Sequence, residues 1–114
     1  MPPRDWKLRI RDILDSIAKI SRYTDGMSLT EFEADDKTID AVVRNIEVIG
    51  EAATHIPDGI QEGYPDLPWP EMRAMRNILA HEYFGVSLPI IWQTIQDNLP
   101  PLVEQLERLL NNER

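Results

Sequence analysis

Apolar residues recur every three or four positions along much of this chain, and this spacing restricts the possible folds more than any other feature. Between residues 4 and 22 the apolar positions are Trp6, Ile10, Ile13, Ile17 and Ile20, with Leu14 beside them. A helix with 3.6 residues per turn gathers such positions on one side, whereas a half-buried strand needs alternation every second residue. The pattern therefore predicts an amphipathic helix over residues 4–22.

The same spacing appears twice more. Its members are Ile39, Val42, Val43, Ile46, Ile49, Ala53 and Ile56 in one stretch, and Leu102, Val103, Leu106, Leu109 and Leu110 in the other. Asp35-Asp36 suits the start of the first of these helices, and Pro57-Asp-Gly59 its end. Ser28 and Glu31 have the spacing of a capping box for a short helix that holds Phe32.

The remaining prolines, glycines and helix-capping residues complete the fold prediction. Residues 57–71 contain four prolines and two glycines and predict a loop that leads into a helix with Pro70 in its first turn. Ser87 and Pro89 predict another helix start, and Pro100-Pro101 a kink or break. Because no segment alternates like a strand, we predict a single all-α domain over residues 1–114, an up-and-down bundle of four long helices plus a short one.

Composition excludes several kinds of function. The chain of 114 residues has no cysteine, only two histidines and a net charge of −8. It therefore has no thiolate nucleophile, and an all-protein metal site is disfavoured. No apolar run approaches a membrane span, and we expect a soluble, cytoplasmic protein without metal or cofactor. The negative charge argues against broad nucleic-acid binding, although it does not exclude one focused basic cleft.

The stretch from Met72 to Phe84 carries the chemistry. Wound as one helix, it places Met72, Met75, Ile78 and Leu79 on a core-facing side. The opposite side gathers Arg73, Arg76, Asn77 and His81, and Tyr83 lies nearly in line with Arg76. A permanent cation, an imidazole, an amide and a phenol then share one side of the helix. This is typical of a site, although a merely solvated face has the same composition.

A second polar ladder has a simpler interpretation. Glu47, Glu51 and His55 lie at steps of four along the predicted helix of residues 39–56. Metal-binding helical bundles use a Glu-x-x-His spacing contributed twice, and this chain lacks a second copy. We therefore interpret these residues as an exposed ladder.

Several stretches resemble those of one known family. Arg76-Asn-Ile-Leu-Ala-His81-Glu-Tyr83 resembles the R-x4-H-x-Y signature of HEPN-domain proteins, specifically the HepT-like toxin family. Other similar stretches, in the same order, are Asp5-Trp-Lys-Leu-Arg9, Arg44-Asn-Ile-Glu-Val-Ile-Gly-Glu-Ala52, Tyr64-Pro-Asp-Leu-Pro-Trp69 and Ile91-Trp-Gln-Thr94. One departure is Ala74, where the family pattern has Gly.

The resemblance implies a metal-independent endoribonuclease toxin. It implies a homodimer in which two motifs face each other, and a minimal nucleotidyltransferase antitoxin that attaches AMP to the motif tyrosine. By position, Arg76 and His81 are then the catalytic residues and Tyr83 the modified one. Helix geometry adds Arg73 and Asn77 as candidate RNA-binding residues.

The residues themselves are consistent with RNA cleavage. RNA supplies its 2′-hydroxyl as nucleophile, histidine exchanges protons near neutral pH, and arginine holds phosphate oxygens with two donors. Two alternatives remain open. In the first, the chain is not a ribonuclease but a non-catalytic HEPN module that binds a nucleotide or a partner protein. In the second, it is a structural bundle in which Arg76 and His81 satisfy neighbouring groups.

Overall fold

A computed structural model of the protein describes residues 5–77 and 87–113. These residues form seven α-helices and one turn of π-helix, with no strand among them. The α-helices are α1 (Trp6–Thr24), α2 (Leu29–Glu33), α3 (Asp36–Thr54), α4 (Asp58–Gly63), α5 (Trp69–Ala74), α6 (Leu88–Gln93) and α7 (Pro100–Asn112), and the π-turn is Thr94–Asn98. The predicted all-α bundle is confirmed.

The helices α1 and α3 form the centre of the bundle and pack against each other. All seven apolar residues predicted for this helix are buried, although Ile56 lies just past the end of α3, and four of those predicted for α1 are buried: Ile10, Ile13, Ile17 and Ile20. Trp6 and Leu14 are half-buried at the edge of this core. Burial of apolar surface at about 25 cal/mol per Å² is the main term that holds the two helices together.

Local hydrogen bonds set the predicted helix starts. Ser28 and Glu31 form the reciprocal capping box, with distances of 3.1 Å to the Glu31 nitrogen and 3.0 Å to the Ser28 nitrogen. The Asp35 carboxylate accepts from the Thr38 hydroxyl at 2.8 Å and from the Thr38 nitrogen at 3.1 Å. The pKa of Asp35 is lowered, chiefly by the hydrogen bond from the Thr38 hydroxyl, because hydrogen bonds to a carboxylate favour its charged form. Asp25-Gly26 forms the expected turn, with Gly26 at a φ of 75°.

Two predictions about the connecting segments need correction. Residues 57–71 are not all loop, because α4 forms after Pro57, and α5 begins at Trp69. Pro57 has no backbone N–H to donate, but its carbonyl accepts hydrogen bonds from the nitrogens of Ile60 and Gln61. The predicted interruption at Pro100-Pro101 exists, but it lies just before them as the π-turn, in which the Leu99 nitrogen donates to the Thr94 carbonyl at 3.0 Å.

The carboxyl-terminal helices close the bundle. Leu102, Leu106 and Leu109 of α7 are buried as predicted. Phe32 of α2 and Trp92 of α6 have ring centroids 5.2 Å apart, which attaches α6 to the core. Among residues 5–77 and 87–113, no helix is long and apolar enough to cross a membrane.

Candidate functional site

The first half of the motif is anchored through α5. Trp69 and Met72 are buried, and the Trp69 indole Nε1 donates to the Tyr64 carbonyl at 3.0 Å. Pro70 occupies the first turn of α5, as predicted, where a missing donor costs nothing. The helix α5 also packs against α3, so these contacts fix the amino-terminal end of the motif to the bundle.

The helix predicted to run without interruption from Met72 to Phe84 is instead broken early. Within the described part of the chain, α5 ends at Ala74, and Met75 and Arg76 form a turn. The nitrogen of Met75 donates to the Met72 carbonyl at 3.2 Å and that of Arg76 to the Arg73 carbonyl at 3.3 Å. Both bonds span three residues rather than four, so the backbone is wound more tightly here than in an α-helix.

Gly50 of α3 explains where this turn lies. A Cβ built on Gly50 would lie 2.7 Å from both the Arg76 Cα and the Met75 carbonyl carbon, and closer still to the Arg76 nitrogen. Real Cβ atoms do not approach backbone so closely, so only glycine allows the two backbones to touch. The turn that carries Arg76 is therefore set directly on α3, and the position of the Arg76 backbone depends on a residue 26 positions earlier.

The turn separates residues that the sequence placed on one face. Arg76 and Asn77 are exposed, and Arg76 forms no salt bridge within residues 5–77 and 87–113. Arg73 is half-buried, and its guanidinium donates to the Gln61 side chain of α4. It lines a cleft with Asp58 and Glu62, away from Asn77. Arg76 and Asn77 are thus both exposed, whereas Arg73 has a structural partner on α4.

Asn77 borders a groove between α3, α5 and the segment formed by α6 and the π-turn. We call it the amide groove, since Asn77 and Asn98 both line it. Its other lining residues are Ile46, Glu71, Ala74, Met75, Ile90, Ile91 and Thr94, and its volume is ≈ 380 Å³. A concave, mostly apolar site with a few polar groups is the usual form of a small-ligand pocket.

Comparison with known proteins identifies the family. A family model described as "Ribonuclease HepT-like" matches residues 13–109. The chain is 38% identical over 106 residues to the "Probable ribonuclease HepT" of Thermococcus cleftensis, covering 93% of this chain and 96% of that protein. It is 36% identical over 112 residues to a candidate RNase of Methanocaldococcus jannaschii, covering 98% and 93% of the two chains. The chain belongs to the HepT-like family. No solved structure matches it significantly.

Membership of the HepT-like family agrees with the resemblance drawn from the motif stretches. Arg76 is the motif residue whose surroundings the structure describes. His81 and Tyr83 lie in residues 78–86, outside the described residues, so their roles as catalytic histidine and modified tyrosine stay predictions. The RNA-binding roles of Asn77 and Arg73 also stay predictions, and the partner of Arg73 on α4 makes its role the less direct of the two.

Two residues of the polar ladder of this HepT-like chain, Glu51 and His55, are exposed as interpreted from the sequence, whereas Glu47 is half-buried. His55 Nε2 lies 3.0 Å from Glu51 Oε1, and both side chains are about half exposed. No group of three His, Cys, Asp or Glu side chains suited to a metal ion occurs among the residues that the structure describes.

Sequence reasoning missed two parts of the site of this HepT-like chain. Gly50 was noted only as part of a family stretch, although a glycine in the middle of a long helix is itself a signal of close backbone approach. The groove residues Thr94 and Asn98 were also missed. No sequence pattern pointed to them, because they depend on how α6 and the π-turn pack beside α3 and α5.

Proposed function

We propose that this chain is an endoribonuclease that cleaves RNA through attack of the 2′-hydroxyl, without a metal ion. The proposal is supported by family membership together with one observation, the exposed position of Arg76 on the turn held by Gly50. With no salt bridge to a described residue, its guanidinium is available to a phosphate. Arginine suits this task because its rigid fork matches two phosphate oxygens at once.

In the proposed reaction each group has one role. A base removes the proton of the 2′-hydroxyl, whose oxygen then forms a bond to the adjacent phosphorus. The bond from phosphorus to the 5′-oxygen breaks, and an acid protonates that leaving oxygen, which leaves a 2′,3′-cyclic phosphate. Arg76 stabilises the added negative charge of the pentavalent phosphorus, and His81 transfers protons, since its ordinary pKa lies near neutrality.

The need for both a base and an acid favours a homodimer. The chain has only one other histidine, His55, which is exposed and held by Glu51 on α3. A two-fold dimer instead supplies a second copy of His81, so that one imidazole accepts a proton and the other donates one. In this proposal the two motifs line a common cleft.

The first test separates this mechanism from metal-dependent cleavage. Purified protein should cleave RNA equally well with and without EDTA, leave 2′,3′-cyclic phosphate ends, and fail to cut the matching 2′-deoxy substrate. The reason is that the nucleophile belongs to the substrate and the proposed catalytic groups are side chains. Loss of cleavage with chelator, or cleavage of the deoxy substrate, contradicts the mechanism. Binding of RNA without any cleavage supports the non-catalytic module instead.

We also propose that the protein is the toxin of a pair and that a minimal nucleotidyltransferase antitoxin silences it through Tyr83. In this step the Tyr83 oxygen bonds to the α-phosphorus of ATP, pyrophosphate leaves, and the phenol proton passes to solvent. The attached adenylate adds a phosphodiester anion close in sequence to Arg76. Inhibition then combines blocking of the RNA phosphate with neutralisation of the guanidinium, as phosphorylation switches do.

The second prediction concerns this modification. Tyr83→Phe should keep most of the ribonuclease activity but escape the antitoxin, because the ring remains and only the acceptor oxygen is lost. After incubation with the partner enzyme and ATP, intact mass should show one or more added AMP units on the wild type and none on Tyr83→Phe. Tyr23→Phe is the matched control, because Tyr23 is exposed on α1 and distant from Tyr83 in the sequence. AMP on the Tyr83→Phe protein contradicts the assignment.

A further inference from the structure

We infer that the amide groove binds the base of an RNA nucleotide and prefers a base with an exocyclic amino group, adenine above all. The inference rests on the proposed function and deepens it, because it assigns the groove a part of the substrate. It depends on the apolar walls of the groove, its polar groups and its place beside the turn that contains Arg76.

The walls of the groove suit the flat face of a base. Ile46 of α3 and Ile91 of α6 are both buried and provide a fixed apolar floor. Ile90 also borders the groove and is 61% exposed, so its side chain offers apolar surface to a ligand. Enzymes that act on nucleic acids commonly hold an unstacked base between apolar side chains in this way.

The polar groups of the groove favour an amino-bearing base. The Thr94 hydroxyl donates to the Ile90 carbonyl at 3.1 Å, so towards a ligand its oxygen can only accept. The Glu71 carboxylate is also an acceptor. The Asn77 and Asn98 amides form no side-chain hydrogen bond with the described residues, and an asparagine amide pairs well with N6 and N7 of adenine. A base with a carbonyl in place of the amino group would set that oxygen against the acceptor oxygens of Thr94 and Glu71.

The π-turn gives the groove part of its shape. Between Thr94 and Asn98 the backbone is wound more widely than in α6, and both ends of this turn contribute side chains to the groove. Single π-turns within helices occur frequently at functional sites. The turn lies just before Pro100 and Pro101, which have no backbone N–H to donate, and Thr94 and Asn98 at its two ends both line the groove.

The groove is also adjacent to the proposed chemistry. Asn77 follows Arg76 in the chain, and Met75 lies on the same turn and lines the groove. Arg76 is not one of the lining residues, but its Cα is about 3.8 Å from that of Asn77, and we expect its long side chain to reach a phosphate at the rim of the groove. We assign the groove to the nucleotide on the 5′ side of the cleaved bond, whose 3′-phosphate Arg76 would hold.

The experiment compares ligands that differ at one group. Binding of adenosine 3′-monophosphate, inosine 3′-monophosphate and ribose 3-phosphate to the full chain is measured by calorimetry. The inosine compound has an oxygen where adenosine has the amino group. We expect adenosine 3′-monophosphate to bind at least about fivefold more tightly than the inosine compound. This ratio corresponds to the smallest discrimination between bases that one bidentate side-chain contact usually gives.

Variants locate the effect in the groove. Asn98→Leu should reduce binding of adenosine 3′-monophosphate to the level of the inosine compound and leave ribose 3-phosphate unchanged. Asn111→Leu is the matched control, because Asn111 is exposed on α7 outside the groove, and it should bind like the wild type. The thermal midpoint of each variant shows that the fold is kept.

Three outcomes would overturn the inference. The first is equal binding of the adenosine and inosine compounds by the wild type. The second is an unchanged preference in Asn98→Leu. The third is a dimer that Ile90→Asp converts to a monomer with no change in nucleotide binding, which would show that a second copy of the chain covers the groove. Base-selective binding without RNA cleavage would keep the inference and reject the proposed reaction, whereas cleavage without base preference would do the reverse.

Discussion

Replacing Gly50 with alanine is expected to destabilise the protein and to remove most of its activity. The added methyl group meets the backbone of Met75 and Arg76, and not the end of a flexible side chain, so α3 and the turn have to move apart. Overpacking of this kind costs about 1–3 kcal/mol, and the upper end applies because backbone must shift. Displacement of Arg76 by about 1 Å should lower the rate of RNA cleavage by about 10²-fold.

Gly59→Ala is the matched control for this prediction. Gly59 lies in α4, and nothing lies within 4 Å of a Cβ built there. Alanine should therefore leave cleavage unchanged and raise stability slightly, by up to about 1 kcal/mol, because it favours helix more than glycine does. Chemical denaturation and the thermal midpoint measure both variants. If Gly50→Ala is as stable and active as Gly59→Ala, the backbone contact does not set the position of Arg76.

The second large effect is expected from the motif residues. His81→Ala should lower RNA cleavage by about 10²–10⁴-fold, the usual value of a general acid or base. Arg76→Ala should lower it by about 10²–10³-fold, the usual value of a group that stabilises transition-state charge. Arg76→Lys should restore only part of this loss, because lysine keeps the charge but not the two-pronged geometry. Since Arg76 is exposed, its removal should change stability by no more than about 0.5 kcal/mol.

Matched controls exist for both substitutions. His55→Ala removes the other histidine, and Arg108→Ala removes an exposed arginine of α7 that pairs with Glu104 at 2.9 Å. Neither should affect cleavage. Sedimentation of the active protein should give twice the chain mass of 13.2 kDa, because the mechanism uses two copies of His81. A fully active monomer, or a thermal midpoint that collapses in Arg76→Ala while His55→Ala is unaffected, would favour a structural role for the motif.

The sequence by itself determined the helices that depend on local rules. The stripes of α1, α3 and α7 follow from the 3.6-residue repeat, and the starts at Ser28 and Asp35 follow from side chains that reach nitrogens three residues later. The motif residues that carry the family resemblance were also readable without the structure. All of these depend on residues close together in the chain, so the pattern alone predicts them.

Only the tertiary structure decided how the first half of the motif is arranged. The break at Met75 depends on Gly50, and the separation of Arg73 depends on Gln61 of a helix that the prolines had suggested was a loop. Asn77 and Asn98 meet at one groove although 20 intervening residues separate them. Periodicity ranks the faces of one helix, but it carries no information on which backbone approaches another. That approach depends on the space between packed elements, and here a single missing Cβ in α3 provides it.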